Sequence, residues 1–363
     1  MNLFLPFLFA FLVCAVLTPI TILVAKKFGF VDDPKLKNHP GAIHNRVVPR
    51  AGGLPIFVTV LLGVLIFIGP TQKILGILAG GLILLAVGLI DDKYEMPRYL
   101  KLFAQVLAAL LVIGSGVGIA FITNPLLPFG NIGNFGDVIR LDTIRFVFEF
   151  AGRHSILILA DTFALFWIVW VINMVNFSTG VDGQMPGIVI AALFVIFAAS
   201  LRLGASDPSQ LGVATIALVG LGATLGFLVF NFYPAKIFPG DSGSYFLGFL
   251  VAVCAILSGA KVGAAVLVMA VPLIDGVFTI IRRIASGKSP FLGDRKHLHH
   301  RLLDLGWGQR RVALFYWTLC AILGAIALSL HSVEKLFAGA VVAIIVLGGL
   351  LWLNMNLSQK LHG

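Results

Sequence analysis

The segment ILGILAGGLILLAVGLIDD, residues 74–92, contains seventeen apolar or small residues before two adjacent carboxylates, Asp91 and Asp92. A run of this length without charge is typical of a membrane-spanning helix, because about 20 apolar residues cross the bilayer core. Similar runs recur along the 363-residue chain, which is 59% hydrophobic and 12% charged. We therefore predict an all-α protein, a polytopic bundle of transmembrane helices.

Eleven spans, approximately, result when the apolar runs are separated at their polar breaks. They are predicted at 4–25, 51–69, 74–90, 99–120, 156–176, 187–203, 211–231, 244–260, 262–281, 312–331 and 337–354. The first run has no basic region before it and no small-residue cleavage site after it, so we interpret it as a retained helix. Residues 1–363 are expected to form a single membrane-embedded domain.

The distribution of basic residues predicts the orientation of this bundle. The chain carries 26 Lys and Arg against 16 Asp and Glu, a net charge of +10. These residues lie in short loops beside the spans, which is not the pattern of a nucleic-acid-binding surface. Nineteen of the 26 fall on one side of the predicted topology. The positive-inside rule places that side and the C-terminus in the cytoplasm, and the N-terminus outside.

Five polar segments share the predicted cytoplasmic side, and we expect them to form one active site. They lie near 26–50, 91–98, 177–186, 232–243 and 282–311.

The three cysteines, Cys14, Cys254 and Cys320, all fall inside apolar runs. Their spacing matches neither a disulfide framework nor a zinc site. We expect them to be buried core residues, as free cysteines commonly are.

Asp91 and Asp92 stand at the predicted C-terminus of a helix, where the helix dipole already presents negative charge. Such a pair requires a cation or a proton nearby, although a solvated helix end is the simpler alternative. Lys101 and Gln105 open the next span at i and i+4, so they share one helix face near the carboxylates. The Lys101 ammonium would suit a phosphate group.

The fifth predicted span ends in Asn173 and Asn176, which lie on one helix face, and Asp182 follows them. Their oxygens suit a hard cation, and their amides and carboxylate suit the hydrogen-bonding groups of a base or a ribose. Because Asn and Gly are also common at helix ends, this pattern alone is a weak indication.

Segment 231–244, NFYPAKIFPGDSGS, runs directly into the next span. A glycine-rich turn at a helix N-terminus presents N–H groups to an anion, and Asp241 beside it is suited to hold a Mg2+ ion that bridges a pyrophosphate. Phe238 offers a ring face to a nucleobase. The alternative, in which Ser242 or Ser244 caps the helix, is compatible with this function.

The largest cytoplasmic loop contains the cluster His297, His299 and His300. This pattern raises the alternative of zinc, since imidazole is a common zinc ligand. However, no cysteine stands nearby and the other clusters are rich in oxygen. Mg2+ is therefore the preferred ion, with His, Lys and Arg as donors to sugar and phosphate. The first loop adds another basic, glycine-bearing turn with Arg46 and Arg50.

These motifs resemble those of the polyprenyl-phosphate N-acetylhexosamine-1-phosphate transferase family, glycosyltransferase family 4, and they occur in the family's order over nearly the whole chain. The motifs are HxxxxPRxGG, the Asp-Asp pair with its downstream Lys and Gln, NxxN followed by DG, PAKIFxGDxGS, and SPFxxDRxHxHHRL. The resemblance implies a multi-pass enzyme of the bacterial inner membrane with a cytoplasmic active site. It would transfer a sugar-1-phosphate from a UDP-sugar to a polyprenyl phosphate using Mg2+, with Mn2+ as an alternative ion.

The resemblance also implies roles for individual residues. The residues expected to act in catalysis are Asp91, Asp92, Lys101, Asp241, His297, His299 and His300. Those expected to bind the substrates are Arg46, Arg50, Asn173, Asn176, Asp182, Phe238 and Arg295. The expected Mg2+ ligands are Asp241 and Asn176, and one of the paired aspartates is a candidate base.

One position departs from the family pattern, because many members have a second Asp where Thr179 stands. The form of the histidine loop resembles the teichoic-acid and O-antigen initiators, so UDP-GlcNAc is the favoured donor and undecaprenyl phosphate the acceptor. The alternatives are a phospho-MurNAc-pentapeptide transferase and, from a different class, a secondary transporter, whose site would lie nearer the bilayer midplane. Membrane lipids are further expected partners, nucleic acid is not, and a homodimer is suggested by the family alone.

Overall fold

The computed structural model describes residues 3–34, 46–124, 138–149, 153–259, 262–287, 289 and 297–362. In these ranges the chain is mainly helical, which confirms the predicted helical class. The helices are α1 Phe4–Phe28, α2 Gly53–Phe67, α3 Gln72–Tyr94, α4 Arg98–Gly114, α5 Ile158–Phe177, α6 Gln184–Leu203, α7 Ser209–Asn231, α8 Gly240–Leu257, α9 Val262–Val268, α10 Ala270–Ala285, α11 Leu298–Asp304, α12 Gln309–Ser329 and α13 Ser332–His362. A 3₁₀ turn, Ser178–Gly180, follows α5.

In the described parts of the connections between these helices there are three small antiparallel ladders. They pair β1 Val31–Asp32 with β2 Val48–Pro49, β3 Phe121–Thr123 with β4 Val138–Arg140, and β5 Arg145–Glu149 with β6 Arg153–Leu157. The first ladder fixes the chain just before α2. The other two lie in the connection between α4 and α5, which the sequence predicts to be external.

Each predicted span corresponds to one helix or, at 262–281, to the pair α9 and α10. Among the described residues, eight helices are long and apolar enough to cross a bilayer, and a ninth span results if α9 and α10, which meet at a bend of 79°, are taken together. The remaining two predicted spans correspond to the short helices α2 and α4, with 15 and 17 residues. At 1.5 Å per residue they measure only about 22 and 26 Å, less than the roughly 30 Å of a hydrocarbon core.

Helix α8 lies at the centre of the bundle. In α8, 94% of the most apolar stretch of 18 residues is buried, compared with 22% of the corresponding stretch in α1 and 6% in α13. A Cβ atom at Gly53 or Gly88 would overlap the Ser242 backbone, so these two glycines let α2 and α3 approach the first turn of α8. The three cysteines are free and buried, as predicted. The start of α8 is therefore enclosed by neighbouring helices.

Candidate active site

Three carboxylates meet where α3 ends and α8 begins. Asp91, Asp92 and Asp241 are each less than one tenth exposed, and one oxygen from each lies within 4.8 Å of the others. Asp91 and Asp92 come from the end of α3, and Asp241 comes from the first turn of α8. The sequence predicts both groups, and the structure brings them together.

The Asp92 carboxylate is held almost entirely by α8. Its oxygens accept hydrogen bonds from the Asp241 backbone N–H at 2.7 Å, the Ser242 N–H at 3.3 Å and the Ser242 hydroxyl at 2.7 Å. Arg50 Nε also lies 3.0 Å from Asp92 Oδ1. Gly240 has a left-handed φ of 67°, and a Cβ atom there would overlap the same carboxylate. Asp92 therefore acts as an N-cap supplied by another helix.

This arrangement corrects two predictions about the α8 N-terminus. The N–H groups of Asp241 and Ser242, which the glycine-rich turn was expected to offer to a substrate anion, are already bonded to Asp92. Ser242 and Ser244 do not cap the helix either, because the Ser242 hydroxyl donates to Asp92 and the Ser244 hydroxyl donates to the Gly240 carbonyl. The anion predicted at this helix end is thus present, but it is the protein's own carboxylate.

Asp91 is bonded differently from its neighbour. Its Oδ1 accepts a hydrogen bond from the Met96 backbone N–H at 2.7 Å and lies 2.7 Å from Lys101 Nζ. Both contacts use the same oxygen; Met96 lies in the turn that joins α3 to α4, and Lys101 lies in the first turn of α4. Asp91 is therefore paired with the long Lys101 side chain, whereas Asp92 caps the N-terminus of a helix.

Asp241 collects four side-chain donors. Its Oδ1 faces Arg50 Nη2 at 3.3 Å and Asn176 Nδ2 at 3.1 Å, and its Oδ2 faces Lys101 Nζ at 3.2 Å and the Tyr245 hydroxyl at 2.8 Å. Tyr245 was not predicted from the sequence. Its position four residues after Asp241 on a helix is the signal that would have identified it, since i and i+4 side chains share a face.

The charges and donors of this cluster fit a divalent cation. Three carboxylates share two cations, Arg50 and Lys101, so the formal charge of the fully ionised cluster is −1. Carboxylate oxygens are the ligands that Mg2+ prefers. Because Asp241 already accepts four hydrogen bonds, about the number its lone pairs allow, an ion bound to it would displace at least one donor.

Arg50 is placed in the cluster by backbone pairing. Arg50 forms an isolated parallel β-bridge with Phe238, and the Phe238 N–H donates to the Pro49 carbonyl at 2.8 Å. Burial by itself would lower the pKa of Arg50, but the charges of Asp92 and Asp241 outweigh this effect and raise it. Arg46, from the same loop, donates to the Ala235 carbonyl at 2.9 Å.

The two asparagines of α5 face the same side but have different partners. Asn173 Nδ2 donates to Gln105 Oε1 at 2.7 Å, which joins α5 to α4. Asn176 Nδ2 donates to Asp241 and, at 2.8 Å, to the Ser244 hydroxyl. The amide nitrogen of Asn176 therefore faces Asp241, and its predicted role as a metal ligand, which would require its oxygen, stays a prediction.

A narrow cleft lies between the segments 179–186 and 231–239, the second of which leads to Asp241. Its lining residues are Thr179, Val181, Asp182, Met185, Pro186, Asn231, Phe238 and Pro239. Asp182 and Phe238, both predicted as substrate-binding residues, are among its walls, and the Ala235 N–H donates to Asp182 Oδ2 at 2.9 Å.

The three histidines form a cluster at the start of α11 that packs against the end of α5 and the turn that follows it. His297 lies 5.7 Å from the Phe177 ring and is stacked with His299 at 5.5 Å, and His299 lies 4.2 Å from His300. A Cβ atom on Gly180 would overlap the His299 ring. Burial, followed by the neighbouring histidines, lowers the pKa of His299 well below its ordinary value of 6.5.

Asp275 of α10 orients this group, a role that no motif indicated. Its Oδ2 lies 2.9 Å from His297 Nδ1, and its Oδ1 accepts a hydrogen bond of 2.9 Å from the Leu298 N–H. It thus holds both a ring and the first turn of α11. Arg295, predicted to bind substrate, lies outside the described residues.

The predicted residues that the structure describes therefore occupy one end of the bundle. The carboxylates, the cleft and the histidines are joined by the segment 176–182, since Asn176 contacts Asp241, Gly180 contacts His299 and Asp182 lines the cleft.

Comparison with known proteins relates the chain to a single family. The sequence model of glycosyl transferase family 4 matches residues 74–259. The chain is 30% identical over 333 residues to a probable undecaprenyl-phosphate N-acetylglucosaminyl 1-phosphate transferase of Bacillus subtilis (strain 168), covering 90% of this chain and 84% of that protein. It is 33% identical over 330 residues to the decaprenyl-phosphate N-acetylglucosaminephosphotransferase of Mycolicibacterium smegmatis, covering 83% and 75%. A phospho-N-acetylmuramoyl-pentapeptide-transferase of Clostridioides difficile is 28% identical over 337 residues, covering 88% and 95%.

Proposed function

The chain belongs to glycosyl transferase family 4, and on that premise we propose that it transfers GlcNAc-1-phosphate from UDP-GlcNAc to undecaprenyl phosphate. The products are UMP and a lipid-linked pyrophosphoryl sugar that initiates synthesis of a cell-envelope polysaccharide. UDP-GlcNAc is the favoured donor because the Bacillus and Mycolicibacterium relatives, at 30% and 33% identity, are named for transfer of that sugar phosphate. The peptidoglycan-type relative is 28% identical.

The observation that carries this proposal is the buried group Asp91, Asp92 and Asp241, with a narrow cleft next to it in the chain. Two cations partly neutralise the carboxylates, and Asp182 and Phe238 stand in the cleft wall. A UDP-sugar has a group for each of these two features. We assign its uracil to the cleft and its pyrophosphate to the carboxylate cluster, where Arg50, Lys101 and a metal ion would neutralise it.

In the proposed reaction an oxygen of the lipid phosphate attacks the β-phosphorus of the donor. A new P–O bond forms there, and the bond from the β-phosphorus to the bridging oxygen breaks, so that UMP leaves with the electron pair. A phosphate monoester is largely ionised at neutral pH. Positioning and charge neutralisation should therefore matter more than a strong base.

The paired aspartates have different parts in this proposal. Asp92 positions Asp241 and Arg50, because its oxygens are occupied by α8 and the guanidinium. Asp91, which contacts Met96, Lys101 and the Asp241 carboxylate and is not used to cap α8, is the carboxylate that faces the lipid phosphate and receives any proton it carries. Lys101 contacts both Asp91 and Asp241, so its ammonium group is placed to bind the lipid phosphate.

Mg2+ is the proposed cofactor, with Mn2+ able to replace it, and it would be held by Asp241 with Asn176 as second contributor. When bound, such an ion neutralises charge on the pyrophosphate and stabilises the leaving UMP. The histidine cluster and Arg295 are proposed to contact the sugar phosphate.

The proposed location is the bacterial inner membrane, with the active site on the cytoplasmic face and the N-terminus outside. Support comes from the basic loops and from the position of the carboxylates at one end of the bundle. A transporter site would lie nearer the bilayer midplane. Assembly as a homodimer stays a prediction.

The test is transfer of radiolabelled sugar phosphate from UDP-GlcNAc to undecaprenyl phosphate by purified protein, with and without Mg2+ and with Asp241→Ala as the control. We expect a lipid-linked product and stoichiometric UMP that require both Mg2+ and Asp241. Product only from UDP-MurNAc-pentapeptide or another UDP-HexNAc would retain the reaction and change the donor. No product from any of these donors would refute the proposal, and uptake by proteoliposomes would then test transport.

A further inference from the structure

Trp317 of helix α12 contacts the turn beside the cleft, although no motif points to this residue and it lies outside the matched residues 74–259. Its indole Nε1 donates a hydrogen bond of 3.1 Å to the Gly183 carbonyl. Gly183 directly follows Asp182 and directly precedes α6, whose first turn supplies Met185 and Pro186 to the cleft. Trp317 therefore contacts the backbone of the cleft wall from behind.

The Gly183 peptide is held from both sides. Its N–H donates to Asn231 Oδ1 at 3.1 Å, and Asn231 Nδ2 donates in turn to the Ile237 carbonyl at 2.8 Å. Gly183 has a left-handed φ of 75°, a conformation that an ordinary residue would adopt only at a cost. The turn that carries Asp182 thus depends on two side-chain hydrogen bonds, one from α7 and one from α12.

Further contacts tie α12 to the opposite wall. The Trp317 ring lies 5.4 Å from the Phe232 ring. Arg310, two turns earlier on α12, donates from Nε to the Tyr233 carbonyl at 3.3 Å, and its guanidinium stands 5.5 Å from the Tyr233 ring. Trp317 and Arg310 therefore contact the loop that leads to Phe238, while Trp317 also contacts the turn that carries Asp182.

We infer that Trp317 is a positioning residue that sets the width of the cleft for the nucleobase of the donor. It holds the Asp182 wall through the Gly183 carbonyl and the Phe238 wall through Phe232. This inference rests on the proposed function, because it takes the cleft to be the place of the uracil. Its effect should fall on donor binding, since none of its described contacts is to the carboxylate cluster.

The chain offers a matched control. Trp167 of α5 also donates an indole hydrogen bond of 3.1 Å to a backbone carbonyl, that of Ala252, and it is buried in the core away from the cleft lining. Trp317→Phe and Trp167→Phe each remove one N–H donor and keep an aromatic ring. The two variants differ in which wall loses its hydrogen bond.

The experiment measures steady-state kinetics and binding of radiolabelled UDP for wild type and both variants. For Trp317→Phe we expect KM for UDP-GlcNAc and Kd for UDP to rise about two- to tenfold, the range for one net hydrogen bond. The kcat value and KM for undecaprenyl phosphate should change by less than about twofold, because uniform donor binding is what is lost. Trp167→Phe should leave the donor KM at the wild-type value.

Equal donor KM values for the two variants would overturn the inference while leaving the proposed function intact. Wild-type protein that neither binds UDP nor forms product would overturn the proposed function instead. Gly187→Ala provides a second test if Trp317→Phe yields little folded protein. A Cβ atom there would overlap the Trp317 indole, so the same rise in donor KM is expected, and an unchanged KM counts against the inference.

Discussion

The Asp92 carboxylate at the end of α3 accepts a 2.7 Å hydrogen bond from the backbone N–H of Asp241 at the start of α8. One member of the acid pair thus holds in place the residue proposed to bind the metal. Two adjacent and chemically identical side chains can therefore be separated by experiment, because only one of them supports the helix.

Asparagine substitutions of the two aspartates should have different effects on stability. In Asp92→Asn an NH2 group faces N–H donors of α8 or Arg50, so at least one buried donor loses its acceptor, which costs about 1–3 kcal/mol. In Asp91→Asn the remaining oxygen can still accept from Met96, so the loss of stability should be small, although turnover should fall at least about tenfold if Asp91 faces the acceptor. Thermal unfolding in detergent and transfer assays measure the two effects. Equal unfolding midpoints would contradict the structural role of Asp92.

Gly240→Ala should impair activity far more than Gly259→Ala. Both glycines have left-handed backbones, with φ of 67° and 70°, so each alanine costs about 1–2 kcal/mol. A Cβ atom at Gly240 would also overlap Asp92, whereas nothing lies within 4 Å of one at Gly259. We expect transfer to fall at least about tenfold only for Gly240→Ala, since the active-site carboxylates must then move. Comparable activity of the two variants would show that Asp92 tolerates displacement.

Asp275→Asn should reduce kcat with little change in donor KM. The asparagine oxygen can keep the Leu298 N–H, but its NH2 group would then face His297 Nδ1 and require the other tautomer of that ring. We expect a fall in kcat of roughly tenfold or more, because an orienting carboxylate fixes the tautomer of its histidine. Initial rates over a range of UDP-GlcNAc concentrations give both constants. Unchanged kcat would mean that the tautomer of His297 does not matter.

Mild acid should destabilise the protein partly through His299. Its pKa is lowered below the ordinary 6.5 by burial and by the adjacent histidines, so the folded state keeps it neutral while the unfolded state takes up a proton. Stability is therefore unaffected by this group above pH 6.5 and falls below it, by at most about 1.4 kcal/mol per pH unit.

His299→Gln should accordingly lose less stability than wild type between pH 7.5 and 5.5, where the lower limit lies about one unit under the ordinary value. The unfolding midpoint at each pH gives the slope. His331→Gln is the control, because His331 is exposed to solvent at the end of α12, with 91% of its side chain accessible. Parallel slopes for the wild type and His299→Gln would refute this account.

The sequence predicts the helical class well because each span is a long apolar run, and this signal does not depend on the rest of the fold. The span count is less certain for a physical reason. Helices α2 and α4 are as apolar as many spans, yet they end after 15 and 17 residues. The bend of 79° between α9 and α10 interrupts one continuous apolar run, and its local signal is Pro272 in the first turn of α10, a position typical of a helix start.

Individual site residues were predictable where a residue type alone suggests chemistry, as with Asp241, Lys101 and the histidines. The contacts between these residues could not be predicted, because they join segments that lie far apart in the chain. The glycine-rich turn before α8 indicated an anion-binding helix end, but nothing local shows that Asp92 supplies the anion. Trp317 and Asp275 carry no motif, and only the folded arrangement brings them to the cleft and to His297.

The bond between Asp92 and Asp241 spans 149 residues of sequence, which imposes an order on the biogenesis of the enzyme. At about 5–20 residues per second, the ribosome needs roughly 7–30 s to complete the partner after it has made Asp92. Asp91 has Lys101 within reach almost at once, but Asp92 remains without its α8 partners until that helix enters the membrane. A nascent chain that stalls between α3 and α8 would carry an uncapped acidic group at the bilayer edge, a feature by which membrane quality control could recognise it.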